Sequence, residues 1–251
     1  MKKLVPAFDQ QVLAKTLVNS VFNRVNFEEA SRIVKEHEGE GKQINIEELL
    51  NACITGKYKP KSTWTSNQYD SADLVVQQAI CNVLYNFFRY VPDMASVLNK
   101  NYRWYIDLRN IVDLSEHLPT EAFINSIKYF VNDVMFVDLV KRIVGNQVVS
   151  AYALLSPSIK GSSYFGLLLY DILMSLFETH AVVLEYGFIR FDDVPFIFFN
   201  YKEQAEQVVE SIIKLCGEDY LNLDLTEHEI EDEIKPLDAS FVEVLKKIAD
   251  I

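Results

Sequence analysis

The chain has 251 residues with 24 basic and 36 acidic side chains, which gives a formal net charge of −12 and a pI near 4.8. Because 49% of the residues are hydrophobic and 12% are aromatic, the chain can bury enough surface to fold, which excludes disorder as a whole. The acidic balance argues against a dedicated nucleic-acid binder, since that class uses a basic surface to displace condensed counterions.

The first 56 residues have the apolar spacing of three amphipathic helices. The first helix is predicted over Asp9 to Val25. Asn26 and Asn45 each precede a glutamate by three residues, which is the spacing of a capping box and predicts the start of the next two helices. Gly56 stands where a glycine commonly ends a helix.

Further helices are predicted up to residue 145. Asp70 or Ser71 is the expected N-cap of a long helix that Pro92 ends, and its wide apolar face places it in the core. Residues 93–113 predict two helices with a break at 99–101. Residues 119–145 predict one helix, with room for a bend.

After Gly145 the sequence becomes rich in β-branched and aromatic residues, which favour strands. Residues 147–155 predict the first strand. Two apolar runs, 181–191 and 194–200, flank Asp192-Asp193 and predict a β-hairpin. The other predicted elements are helices over residues 162–180, 201–216 and 227–234, and one after Asp238.

These elements predict a predominantly α-helical α+β fold, in which an N-terminal helical region precedes a small antiparallel β-sheet or hairpin packed with helices. No linker composition divides the chain, so we expect a single compact domain over 1–251, with a weak subdivision into 1–145 and 146–251. The hairpin region carries four large aromatic residues, Tyr186, Phe188, Phe196 and Phe198. They exceed what two strands can hide, which leaves room for a homodimer.

Specific chemical motifs are missing from the sequence. There is no phosphate-binding glycine loop, and the four histidines and three cysteines lack the spacing of metal ligands, so no cofactor and no metal site is predicted. The N-terminus lacks the apolar stretch of a secretory signal, and no apolar run reaches the length of a membrane span. The expected compartment is the cytoplasm, which would be the host cytoplasm for a viral protein.

The C-terminal segment is strongly acidic. Its last 34 residues hold 11 acidic and 3 basic side chains, so they contribute −8 of the total charge. The densest part contains Glu227, Glu229, Glu231, Asp232 and Glu233. The leading hypothesis is therefore a non-enzymatic interaction protein, a regulator or inhibitor, that binds a basic protein or nucleoprotein complex through acidic surface. Anti-defence proteins of viruses and mobile elements are one class of this type.

Two other segments are candidate partner-binding sites because they combine basic and aromatic residues. The loop over residues 57–69 carries Lys57, Lys59, Lys61 and Trp64. The second segment carries Arg103 and Trp104, and a helix there would pair Arg103 with Asp107 at i,i+4. A nucleic-acid-binding module that uses the 57–64 loop is one alternative function, and it requires the two segments to share a face.

A small cytoplasmic enzyme is the other alternative. A His and a carboxylate brought together between the helical part and the hairpin could form a general acid/base site. The candidates are His117, His180, Asp171 and Glu185.

Overall fold

The computed structural model describes residues 17–38, 43–62, 70–88, 97–108, 120–145, 162–183, 186–191, 194–216 and 234–248. These residues form helices and one small antiparallel sheet, which confirms the predominantly helical α+β class. The helices are α1 (Arg24–Glu38), α2 (Ile46–Ile54), α3 (Ser71–Phe88), α4 (Thr120–Phe130), α5 (Val134–Val144), α6 (Ser162–Val183), α7 (Gln204–Cys216) and α8 (Ala239–Ile248). The strands are β1 (Trp104–Asp107), β2 (Gly187–Phe191), β3 (Val194–Phe199) and β4 (Ile234–Pro236).

The chain divides into two compact units, each made of discontinuous segments. The helical unit contains Lys2–Arg89 and Leu118–Leu173, and the sheet unit contains Met1, Tyr90–His117 and Met174–Ile251. The single-domain organisation expected from the sequence stays a prediction.

Side-chain caps start several helices of the helical unit. Asn45 accepts a hydrogen bond from the backbone N–H of Glu48 and caps α2, as predicted. Gly56 follows this helix with φ +68°, a conformation that glycine adopts without strain. The predicted cap of α1 is wrong by three residues, because Asn23 accepts from the N–H of Asn26 at 2.9 Å. The preceding helix therefore ends at residue 21 rather than at Val25, which lies in α1.

The helix predicted over 119–145 is two helices in the structure. Residues 131–133 leave the helical conformation between α4 and α5, and the Asp133 side chain accepts from the N–H of Phe136 at 2.8 Å. An aspartate at this position starts a new helix more readily than it continues one, because its short side chain competes for backbone N–H groups. Gly145 then ends α5 with φ +74°.

The sheet has the order β2-β3-β1-β4 and is antiparallel throughout. The predicted hairpin is confirmed as the β2-β3 pair, in which Ile189 faces Phe196 and Gly187 faces Phe198. In the centre, Tyr105 of β1 lies opposite Phe198 on one side and Lys235 of β4 on the other.

One face of the sheet forms an aromatic core with α8. Ile189, Phe196 and Phe198 are buried there together with Leu245, and the ring of Tyr105 stacks on Phe241 with centroids 4.6 Å apart. Gly187 leaves space for the neighbouring Tyr102 ring, since a Cβ at this position would lie 2.7 Å from Tyr102 Cε2. The absence of a side chain at Gly187 therefore allows close aromatic packing across the sheet.

Three further sequence-based predictions of secondary structure are wrong in the described residues. Trp104–Asp107 is a strand rather than a helix, and Ile234 begins β4 rather than ending a helix over 227–234. Residues 181–183 continue α6 instead of opening the hairpin. Each segment has apolar residues compatible with either structure, and pairing with distant strands decides the outcome for β1 and β4. The predicted strand over 147–155 lies outside the described residues.

The aromatic residues of the hairpin region are covered within the chain. Tyr186, Phe188, Phe196 and Phe198 are 0–7% exposed. The four rings pack inside the chain itself, so they give no reason to expect a homodimer, and the homodimer stays a prediction. Within the described part of the chain, no helix is both long enough and apolar enough to cross a membrane.

Candidate functional site

The lysines of the predicted basic loop lie on a segment with alternating exposure. Lys57, Lys59 and Lys61 are exposed, whereas Tyr58 and Ser62 are buried at 7% and 8% exposure. A period of two is typical of an extended chain, in which successive side chains point to opposite sides. The segment therefore presents its lysines to solvent and its tyrosine to the core. Trp64 lies outside the described residues.

A buried carboxylate holds this segment in place. Asp73, on α3 and 3% exposed, accepts hydrogen bonds from the Tyr58 hydroxyl, the Ser62 hydroxyl and the backbone N–H groups of Ser62 at 2.7 Å and Lys61 at 2.9 Å. We call these four residues the Asp73 network. Burial, with the hydrogen bond to Asp73, raises the pKa of the Tyr58 hydroxyl. Both oxygens of Asp73 are engaged, so the network positions the chain rather than providing a free base.

A second set of hydrogen bonds fixes the preceding turn. The Arg142 guanidinium on α5 donates to the carbonyl oxygens of Gly56, at 3.0 Å, and of Tyr58. It also pairs with Asp138 at 3.1 Å, so its charge is balanced within its own helix. Nearby, burial raises the pKa of the Cys53 thiol to about 12, which keeps it protonated.

The third lysine is neutralised locally. Lys61 Nζ lies 2.6 Å from Asp70 Oδ2, and this hydrogen bond raises the lysine pKa. Asp70 also accepts from the N–H of Ala72 at 3.0 Å, which confirms it as the cap of α3. Lys57 and Lys59 form no ion pair with another described residue, so they are the cations that the segment presents.

The second predicted segment has a different geometry from the one expected. Arg103 is exposed at the start of β1, and its backbone bonds to Phe199 on one side and Leu237 on the other. Because the segment is a strand, the predicted i,i+4 pair of Arg103 with Asp107 is wrong. The Trp104 ring contacts the ammonium of Lys202 at 5.7 Å, a cation–π contact. Arg103 and the loop lysines belong to different units.

The predicted acidic residues of the C-terminal segment lie outside the described residues: Glu227, Glu229, Glu231, Asp232 and Glu233. Sequence reasoning missed other carboxylates in the same unit. Glu203, at the start of α7, and Glu206 and Glu210 within it are exposed and form no ion pair among the described residues. Their i, i+3, i+7 spacing places them on one helical face. The opposite face buries Ala205, Val208, Val209 and Ile212.

Most residues of the enzyme alternative lie outside the part of the chain that the structure describes, so this alternative stays a prediction. His117 and Glu185 lie outside the described residues, as does the side chain of His180. Asp171 is 5% exposed on α6. Among the described side chains, no group of three or more His, Cys, Asp or Glu could hold a metal ion.

A groove of about 600 Å³ lies between α1 and α3, with carboxamides on its walls. Gln78 Nε2 donates to Asn82 Oδ1 at 2.7 Å, and Asn82 Nδ2 donates to Asn26 Oδ1 at 3.1 Å. Asn26 in turn donates to the carbonyl oxygens of Val21 and Ala79. These amides satisfy one another and join the two helices, which explains their position without a ligand.

Comparison with known proteins finds no matching family model and no matching curated protein.

Proposed function

We propose that this protein is a non-catalytic interaction protein, a regulator or inhibitor, whose sheet unit binds a basic protein or a nucleoprotein complex. The observation that carries the proposal is the distribution of charge between the units. The sheet unit has 9 basic and 22 acidic side chains, a formal charge of −13, whereas the helical unit has 15 basic and 14 acidic side chains, a charge of +1. The net negative charge of the chain thus comes from one unit.

The glutamates of α7 provide a defined part of this charge. Because α7 buries its apolar face, Glu203, Glu206 and Glu210 are held toward solvent at fixed intervals along about 10 Å of the helix. They form no ion pair with another described residue. No described lysine or arginine of the chain therefore competes with a partner's cations for these carboxylates. Complementary charge of this kind increases association rates and specificity.

The test is affinity capture from the native host's lysate at low and high salt, followed by titration of the purified partner. We expect a stoichiometric basic partner whose binding weakens at high salt, because exposed charges are screened. Two variants locate the contact. One carries Glu203→Gln, Glu206→Gln and Glu210→Gln, and the other carries Glu229→Gln, Glu231→Gln, Asp232→Asn and Glu233→Gln. Both should fold, and the second should abolish binding.

The control variant neutralises three exposed glutamates of the helical unit, Glu28→Gln, Glu36→Gln and Glu47→Gln. It changes the net charge by as much as the α7 variant, so it separates a local contact from a general effect of charge. If binding is unchanged in both sheet-unit variants, or falls equally in the control, the acidic-surface proposal is wrong. The enzyme and nucleic-acid alternatives stay predictions.

A further inference from the structure

The helical unit carries a surface where lysines adjoin exposed apolar side chains. Val134 is 83% exposed, Met135 50% and Ile54 46%, and Met135 lies beside the turn at Gly56 that separates Ile54 from the exposed Lys57 and Lys59. We call these five residues the Gly56 surface, because the turn at Gly56 joins them. A Cβ placed on Gly56 would lie 4.0 Å from Met135 Cε, which connects α5 to the turn between Ile54 and Lys57.

The backbone beneath this surface is fixed before any partner binds. Asp73 accepts hydrogen bonds from the Tyr58 and Ser62 hydroxyls, and Arg142 donates to the carbonyl oxygens of Gly56 and Tyr58. A preorganised segment loses less conformational entropy on binding than a free loop does. The Gly56 surface is therefore built to present its side chains rather than to fold around a ligand.

The charge of this surface is positive, although the protein is acidic. The nearby carboxylates of Asp70 and Asp138 are paired with Lys61 and Arg142, and that of Asp133 accepts a hydrogen bond from the N–H of Phe136, so the two lysines outnumber the one carboxylate that has no ion pair among the described residues. Lys57 and Lys59 form no such pair within the described residues. A partner that covers this surface must therefore supply negative charge for the lysines and apolar side chains for Val134 and its neighbours.

We propose that the Gly56 surface binds an acidic amphipathic segment of a protein partner. Carboxylates of such a segment would pair with Lys57 and Lys59, and its apolar side chains would cover Val134 and Met135. A nucleic-acid backbone would engage the lysines but would leave the apolar side chains in water, so the mixed surface favours a peptide. This interaction is separate from the one proposed for the sheet unit, because its residues lie in the helical unit.

The experiment measures fluorescence anisotropy with a labelled synthetic peptide whose leucines follow helical spacing and whose other positions are mainly glutamate. Variants Lys57→Glu/Lys59→Glu and Val134→Ser/Met135→Ser remove the two chemistries separately. We expect about tenfold weaker binding for the charge variant and a several-fold loss for the apolar variant. The matched control Lys35→Glu/Lys128→Glu changes two exposed lysines of the same unit and should bind as the parent does. Circular dichroism verifies that each variant is folded.

Three comparisons decide the chemistry of the ligand. A peptide with serine in place of leucine should bind more weakly to the parent protein, and a single-stranded oligonucleotide should not respond to the Val134→Ser/Met135→Ser change. Failure of the parent to bind the leucine peptide, or binding by both surface variants as tight as that of the parent, would overturn the proposal. Tighter binding of the oligonucleotide, lost only with the lysines, would overturn it in favour of a nucleic-acid contact. None of these outcomes depends on the glutamates of the sheet unit.

Discussion

The two units place their polar and aromatic groups differently. In the described residues, every buried polar side chain belongs to the helical unit: Ser31, Ser62, Asp73, Gln77, Ser126 and Asp171. The sheet unit instead has a core of contacting rings, formed by Tyr102, Tyr105, Tyr186, Phe196, Phe198, Phe199 and Phe241. Buried side-chain hydrogen bonds hold one segment of the first unit, and ring packing covers the hydrogen-bonded sheet of the second.

The difference in charge accompanies this difference in construction. In the described part of the sheet unit, the carboxylates of Glu203, Glu206, Glu210, Asp238 and Glu243 are exposed, which avoids the several kcal/mol that an unpaired buried carboxylate costs. The helical unit is nearly neutral and can bury Asp73, because four donors surround it. Among the described residues, the sheet unit thus keeps carboxylates exposed, whereas the helical unit uses a buried one to fix the segment over residues 58–62.

The largest expected effect is on the buried hydrogen bonds of the helical unit. Asp73→Ala leaves the Tyr58 and Ser62 hydroxyls and two backbone N–H groups without their acceptor. We expect the free energy of unfolding to fall by about 3 kcal/mol. Urea titration measures this loss.

Asp70→Asn is the matched control for Asp73→Ala. It removes the ion pair with the exposed Lys61 but keeps a side chain that can cap α3. Its effect should be much smaller than that of Asp73→Ala, since exposed ion pairs contribute little. Similar losses for both variants would mean that Asp73 does not hold the segment.

The next effect is on ring packing in the sheet unit. Gly187→Val places a side chain where its Cβ meets Tyr102 Cε2 at 2.7 Å and Val97 Cγ1 at 2.9 Å. The expected loss is about 2 kcal/mol, because the rings must move. When Gly187→Val is made in a Tyr102→Ala variant, urea titration should show a smaller fall in the free energy of unfolding. An equal loss in both backgrounds would show that Tyr102 is not the steric limit.

A smaller effect, of opposite sign, concerns a buried amide without a partner. Gln77 is 1% exposed, and neither its Oε1 nor its Nε2 has a hydrogen-bond partner among the described residues. Gln77→Leu keeps the volume and removes the desolvation cost, so we expect a gain of about 1 kcal/mol. Thermal or urea unfolding measures it. A loss of stability would contradict the assignment and identify a hydrogen bond to Gln77.

The smallest expected effect on stability concerns the protonation of buried thiols in the helical unit. Burial raises the pKa of both Cys53 and Cys81 from 9.0 to about 12. The folded state therefore keeps protons that the unfolded state releases, so this contribution to stability is complete below pH 9 and is lost as the pH rises toward about 12. In a Cys216→Ala background, both thiols should resist alkylation at pH 9 until urea is added. Rapid alkylation without urea would show that the thiols are accessible.

The sequence by itself determined the helical character, the hairpin and several helix ends. Apolar periodicity is a local property, and so are the caps at Asn45 and Asp70 and the glycine turn at Gly56, because each needs only neighbouring residues. The exposure of Lys57 and Lys59 also agrees with their prediction as surface residues.

Only the tertiary structure decided that Trp104–Asp107 is a strand, because its hydrogen-bond partners lie in β3 and β4, far along the chain. The same reason applies to Asp73, whose donors come from a segment 11 to 15 residues earlier, and to the contact of Met135 with the Gly56 turn. The difference in charge between the two units could not be predicted from the sequence for a related reason. Each unit combines distant segments, so counting along the sequence does not group the residues that fold together.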